Sequence, residues 1–126
     1  MFVHLRLHTE FSVVDGTTRI DDIVQAAAAD GQGALAITDW GNLFGAVKFY
    51  KACRAEGVKP LLGADLWMEP LPDGAVDGVG ADKVPSRLLV LVQHPRGYLN
   101  LCELLARGWT TNVQRTQAWI KWAWLA

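Results

Sequence analysis

Short apolar runs alternate with stretches of helical periodicity along most of this chain, and that alternation limits the fold more than any single motif. Residues 2–9, FVHLRLHT, read as a strand: after Phe2, the side chains of Val3, Leu5 and Leu7 take one face, and those of His4, Arg6 and His8 the other. Residues 10–18 form a loop with Asp15-Gly16 as its turn. The spacing predicts a helix over 20–30, with Ile20, Ile23, Val24 and Ala27 as its buried stripe. Asp21 and Asp22 lie near its positive end and Gly31 at its close. A buried strand follows at 34–38, ALAIT. The helix expected over 43–56 has the stripe Leu43, Ala46, Val47, Tyr50 and Cys53 and ends at Gly57. Residues 60–67 hold a third strand. Residues 69–85, rich in Gly, Pro and Asp, make a long surface excursion. Residues 87–92 (RLLVLV) form a fourth strand, and 97–107 a third helix with Tyr98, Leu101, Cys102 and Leu105 on one side.

Strands alternating with helices imply an α/β domain with parallel pairing and right-handed crossovers. Helices on both faces of the sheet account for the near-continuous apolar strands. Four strands do not close a barrel, so the chain is either a small open α/β domain or part of a larger one. Its last residues, AWIKWAWLA, favour the second reading, because Trp119, Trp122 and Trp124 need something to pack against.

Composition removes several function classes. The 126 residues suit one domain, and a net charge of −1 does not suit a free-standing DNA-coating protein. No apolar run approaches a membrane span, and no basic-then-apolar leader is visible. Cys53 and Cys102 fall in helical patterns without CxxC spacing, which points to reduced core thiols in a cytoplasmic protein rather than a zinc ribbon. Phosphate-binding glycine loops are missing, and neither Ser12 nor Ser86 stands in a GxSxG setting. His94, before Pro95, reads as a surface turn residue, and the tryptophans read as core or interface rather than as a base-stacking platform.

Ligands of parallel α/β sheets bind at the carboxyl ends of the strands. His8, Thr9 and Glu10 stand there after the first strand, Asp39 after the second and Asp65 within the third, with Asp15 on the first loop. One histidine and three carboxylates near one edge are compatible with the remains of a metal site. The simpler reading, and the one these residues alone favour, is that the carboxylates cap helices and line a solvated rim.

Three segments carry a family resemblance: FVHLRLHTEFSVVDGTTRI, ALAITDWGNLFGAVKFYKACRAEGVKPLLGADL and LVLVQHPRGYLNLCELLARGW. In this order they resemble the PHP (polymerase and histidinol phosphatase) domain that begins the alpha subunit of the bacterial replicative polymerase, DNA polymerase III, in its proteobacterial form. The resemblance implies that residues 1–126 are the N-terminal portion, about half, of a distorted (βα)7 barrel excised from a much longer subunit. It implies a DNA-directed DNA polymerase as the parent enzyme. The magnesium-binding palm and the DNA contacts would lie in absent domains, leaving this fragment inactive alone. The implied partners are the rest of the alpha chain and the proofreading exonuclease subunit, with no membrane. The C-terminal tryptophans would meet the missing part of the barrel.

Metal-binding members of that family place a His-x-His pair on strand one, an acid soon after, a His after the Thr-Asp of strand two, a Glu on strand three and a His at strand four. Carried over residue by residue, the pair falls on Arg6 and His8, the acid on Asp15 and the second-strand His on Trp40 beside Asp39. The Glu falls on Asp65 and the fourth-strand His on Arg87. Alternate residues of a strand lie about 6.6 Å apart on one face, which is why such a pair can share an ion. Arginine has no lone pair to give and tryptophan offers only a donor. No catalytic residue and no bound metal are therefore expected. If zinc or manganese binds, its ligands are His8, Asp15 and Asp65, and residual phosphoesterase or 3'-5' exonuclease chemistry is the rival reading. The replacement suggests that the Arg6 guanidinium takes the place of the ion, pairing with some of Asp15, Asp39 and Asp65. In the simpler alternative Arg6 points to solvent at the rim.

Overall fold

The computed structural model describes residues 1–70 and 85–126. Of the excursion expected over 69–85, residues 71–84 lie outside that description. The elements run α1 (Ile20–Ala29), β1 (Ala34–Ile37), α2 (Ala46–Glu56), β2 (Lys59–Met68), β3 (Ser86–Leu91), α3 (Pro95–Thr111), β4 (Val113–Gln114) and β5 (Gln117–Ile120), followed by a 3-10 turn at Trp122–Leu125.

The long strand β2 organises the sheet. Its first half pairs in parallel with β1, from Ala34 opposite Lys59 to Ile37 opposite Leu62. Its second half pairs antiparallel with β3, from Gly63 opposite Leu91 to Met68 opposite Ser86. Trp67 and Met68 also pair in parallel with Trp119 and Ile120 of β5. Because Trp67 and Met68 already face β3, β5 must lie on the opposite edge, in line beyond β1. The mixed α/β, parallel-rich sheet agrees with the sequence, but the all-parallel expectation fails at β3. A parallel return needs a crossover, usually a helix, and the Gly/Pro/Asp-rich residues 69–85 carry no helical period.

The first strand also departs from expectation. Residues 2–8 form no regular strand. The carbonyls of His4 and Leu7, three residues apart, accept from the N–H groups of Ala36 and Thr38, two apart. One extra residue therefore slips into the ladder, as in a β-bulge. The Thr38 hydroxyl takes the N–H of Leu7 at 2.9 Å. Leu7 still packs on the core, but Leu5 turns to solvent instead of sharing its face.

Two hydrophobic clusters hold the elements together. The first joins Ile20, Val24 and Ala27 of α1 to Leu35 and Ile37 of β1, to Phe49 and Cys53 of α2, and to Val58. The stripe of α2 is centred on Ala46, Phe49 and Cys53, and Val47 and Tyr50 of the expected stripe are exposed. Adjacent helical positions point about 100° apart, so only one of the two rows can face the sheet. Gly45 decides which: a side chain there would collide with Phe11 and crowd Ile20 and Ile37. The second cluster joins Ala64, Leu66 and Met68 of β2 to Leu101 and Leu105 of α3 and Ile120 of β5. Trp122 and Trp124, each half-buried, pack against this cluster. The Trp122 Nε1 donates to the Glu69 carbonyl at 3.0 Å. Among the described residues no helix is long and apolar enough to cross a membrane.

Candidate functional site

Alternation along β2 decides which side chains meet. Ala64, Leu66 and Met68 point toward α3, so Asp65 and Trp67 point to the opposite face of the sheet. The bulged first segment passes beside β1 and brings Arg6 and His8 over that face.

Asp65 is the centre of the site and is fully buried. The Arg6 Nε donates to its Oδ2 at 2.8 Å, and the His8 Nε2 meets the same oxygen. The other ring nitrogen of His8, Nδ1, lies 2.9 Å from Asp15 Oδ2. A carboxylate only accepts, so with both acids ionised the imidazole donates to both only when each of its nitrogens carries a proton. The Trp40 Nε1 donates to that same Asp15 oxygen at 2.9 Å. Desolvation raises the Asp15 pKa, but the hydrogen bonds from Trp40 and His8 and the His8 charge outweigh it and hold the carboxyl below its ordinary value. The second oxygen of Asp65, Oδ1, is buried without a hydrogen-bond partner.

An aromatic layer closes one side of this group. The Trp40 and Trp67 rings stack with centroids 4.5 Å apart and planes 9° from parallel, and His8 leans on Trp40 at 5.2 Å. Arg87 stands opposite Trp67 in the β2–β3 register, its Cζ 5.3 Å from the Trp40 ring and 5.2 Å from that of Trp67. At near-equal distance from both rings, the guanidinium lies beside the stack rather than on top of it.

The structure thus brings together Arg6, His8, Asp15, Trp40, Asp65 and Arg87. It does not bring Asp39 into contact with Arg6. Asp39 is buried and accepts three hydrogen bonds, from the Thr9 N–H at 2.5 Å and from the Thr9 and Ser12 hydroxyls at 2.8 Å each. Its task is to pin the first loop. Ser12 extends the pin by accepting the Trp40 N–H at 3.0 Å, and a side chain on Gly16 would run into the Thr9 carbonyl. The Trp40 segment is also tied to β2, where the Gly41 N–H donates to the Asp65 carbonyl and the Asp65 N–H to that of Asp39.

The sequence placed Thr9 at the rim but gave it no role, and Ser12 and Trp67 were missed as site residues. The signal for the first two was a pair of hydroxyls spaced Thr-x-x-Ser in a loop that must satisfy a buried acid. The signal for Trp67 was its position two residues beyond Asp65, which puts it on the same strand face.

In this arrangement the donors of the site are engaged with one another. Both His8 nitrogens are engaged by carboxylates, Asp65 Oδ2 is held by a cation, and Asp15 Oδ2 receives an indole N–H. Among the described residues no group of three or more His, Cys, Asp or Glu is placed to hold an ion.

The profile of the PHP domain family matches residues 4–126. Curated relatives named DNA polymerase III subunit alpha match nearly the whole chain. The protein of Pseudomonas aeruginosa is 41% identical over 124 residues, covering 98% of this chain and 10% of the relative. The Pseudomonas fluorescens protein is 43% identical over 126 residues, covering 99% and 10%, and that of Vibrio cholerae is 37% identical over 124, covering 98% and 10%. The chain spans about a tenth of the length of these relatives.

Proposed function

The chain belongs to the PHP domain family, and from that membership we propose that it is the PHP scaffold of a bacterial DNA polymerase III alpha subunit, a framework whose metal site has been replaced by an internal ion-pair network. On this reading it forms about half of a distorted (βα)7 barrel in a cytoplasmic, DNA-directed DNA polymerase. Nucleotide transfer, its magnesium and the DNA contacts belong to other parts of that alpha chain. The fragment itself carries no activity. It stabilises the polymerase and offers a docking surface to the proofreading exonuclease subunit.

The observation that carries the scaffold reading is the contact of the Arg6 Nε with Asp65 Oδ2. A buried carboxylate needs a compensating charge, and a guanidinium supplies a fixed one without any ligand field. Arg6 stands where metal-binding relatives are expected to have a histidine, and Trp40, a donor, where they are expected to have another.

One observation favours the rival reading, a residual metal-dependent phosphoesterase or 3'-5' exonuclease: the buried Asp65 Oδ1 has no partner. Metal analysis of protein purified without chelator separates the two. The scaffold reading expects zinc and manganese far below one per chain and a melting curve unmoved by chelator. Stoichiometric metal, together with phosphate release abolished by His8→Ala, would establish the enzyme instead.

A further inference from the structure

On the far side of α2 from the core lies a surface that the site does not use. Phe44, Val47 and Tyr50 are 72%, 65% and 48% exposed. At spacings of three they fall on one side of the helix and its approach. Three large apolar residues in a row on one exposed face are unusual for a surface that meets only water. The row is held rigidly. The Phe44 N–H donates to Asn42 Oδ1, and Asn42 is itself anchored to the carbonyls of Phe11 and Trp40.

The row ends in a groove. Tyr50 forms a wall of a concavity of about 470 Å³ whose other apolar lining comes from Pro60, Leu61, Leu62, Leu91 and Val92. That volume is in the range that takes a few large side chains. Its polar residues are Lys59, Gln93 and His94, so among the described residues no carboxylate lines it. The charge nearby has the same sign. Lys51 and Arg54 continue the exposed row of α2 by helical spacing, and neither forms an ion pair among the described residues. The first turn of α3, which starts beyond His94, holds Arg96 and no acid, leaving its positive end uncompensated. In contrast, α1 carries Asp21 and Asp22 in its first turn.

We infer that the face formed by Phe44, Val47 and Tyr50, with the groove it enters, is a docking site for a peptide segment of a partner protein, one that carries large apolar side chains flanked by carboxylates. The apolar anchors fill the groove and cover the row on α2. The carboxylates meet Lys51, Arg54 and Lys59, whose part is to steer and orient the segment. This inference does not depend on whether the Asp65 site holds metal.

The test is selection of random 12-residue peptides displayed on phage against the immobilised chain, followed by affinity measurement on synthetic copies of the enriched sequences. The expected consensus has at least two large apolar residues and two carboxylates. Its affinity should fall by about tenfold or more in Tyr50→Ala and again in Lys59→Glu, and should stay unchanged in Arg19→Glu, on α1's side of the molecule. Tyr50 and Lys59 are exposed, so both variants should retain the parent circular-dichroism spectrum. Absence of enrichment, a basic consensus, or peptides indifferent to both substitutions would overturn the proposal. Concentration-dependent dimers in sedimentation, dissolved by Lys59→Glu, would also overturn it by making a second copy the occupant.

Discussion

Arg6 and His8 converge on a single oxygen, Oδ2 of the buried Asp65. The arginine side chain is half exposed and the aspartate is not exposed at all, so one end of the pair sits in water and the other in the protein. Arg6→Ala would leave the acid with His8 alone. A fully buried pair broken this way costs about 3–5 kcal/mol, and exposure of the Arg6 end screens part of it, so a loss of about 1–3 kcal/mol is expected. Urea denaturation measures it, and an unchanged midpoint would return Arg6 to the role of a solvent-facing rim residue.

Asp15 gives the site a pH dependence of known sign. Its carboxyl is held below its ordinary value, the hydrogen bonds and the His8 charge outweighing desolvation. A group whose folded pKa is depressed contributes stability above its unfolded pKa and loses it as pH falls through the folded one. Stability should therefore decline on acidification below about pH 4, and Asp15→Asn should flatten that part of the curve. Denaturant midpoints across the acid range test this; a curve of the same shape in both proteins would remove Asp15 from the network.

Asp39 is expected to be the most damaging single site in the first loop. Asp39→Ala leaves the Thr9 N–H and two hydroxyls without their acceptor inside the protein. The loss should be about 3–5 kcal/mol, more than for Arg6→Ala. Hydrogen exchange at the Thr9 and Trp40 amides should accelerate with it, and protection equal to the parent's would contradict the pinning role.

Burial pushes the Cys53 thiol up to about 11. A thiol so placed holds almost no thiolate at neutral pH and is screened from reagents. Cys53 should resist an aromatic disulfide reagent in the native protein and react once the chain is unfolded. Rapid labelling of Cys53 in native buffer, located by peptide mass, would show that α2 opens far more readily than its packing implies.

Much of this was readable in the chain. Helical spacing located α1, α2 and α3 because each buries one stripe, and the Gly-bounded ALAI run located β1. His8, Asp15 and Asp65 were readable as neighbours of one sheet edge, His8 closing the first segment, Asp15 on the loop after it and Asp65 within the third strand. What could not be read was decided by tertiary contacts. The first segment alternates correctly, yet its bulge is set by how Leu7 meets Thr38. Asp39 looked like another rim acid, but its neighbours Thr9 and Ser12 claim it first. The stripe on α2 shifted by one position because Gly45 lets Phe49 reach the sheet. The direction of β3 depended on a connection whose sequence has no period.

The strand β2 borders both hydrophobic clusters, its start beside Val58 and Leu62 and its end within Ala64, Leu66 and Met68. The two halves of the molecule are thus hinged on one continuous backbone whose ladder neither half can release alone. Melting on one side strips partners from the other, so the protein should come apart in a single cooperative step.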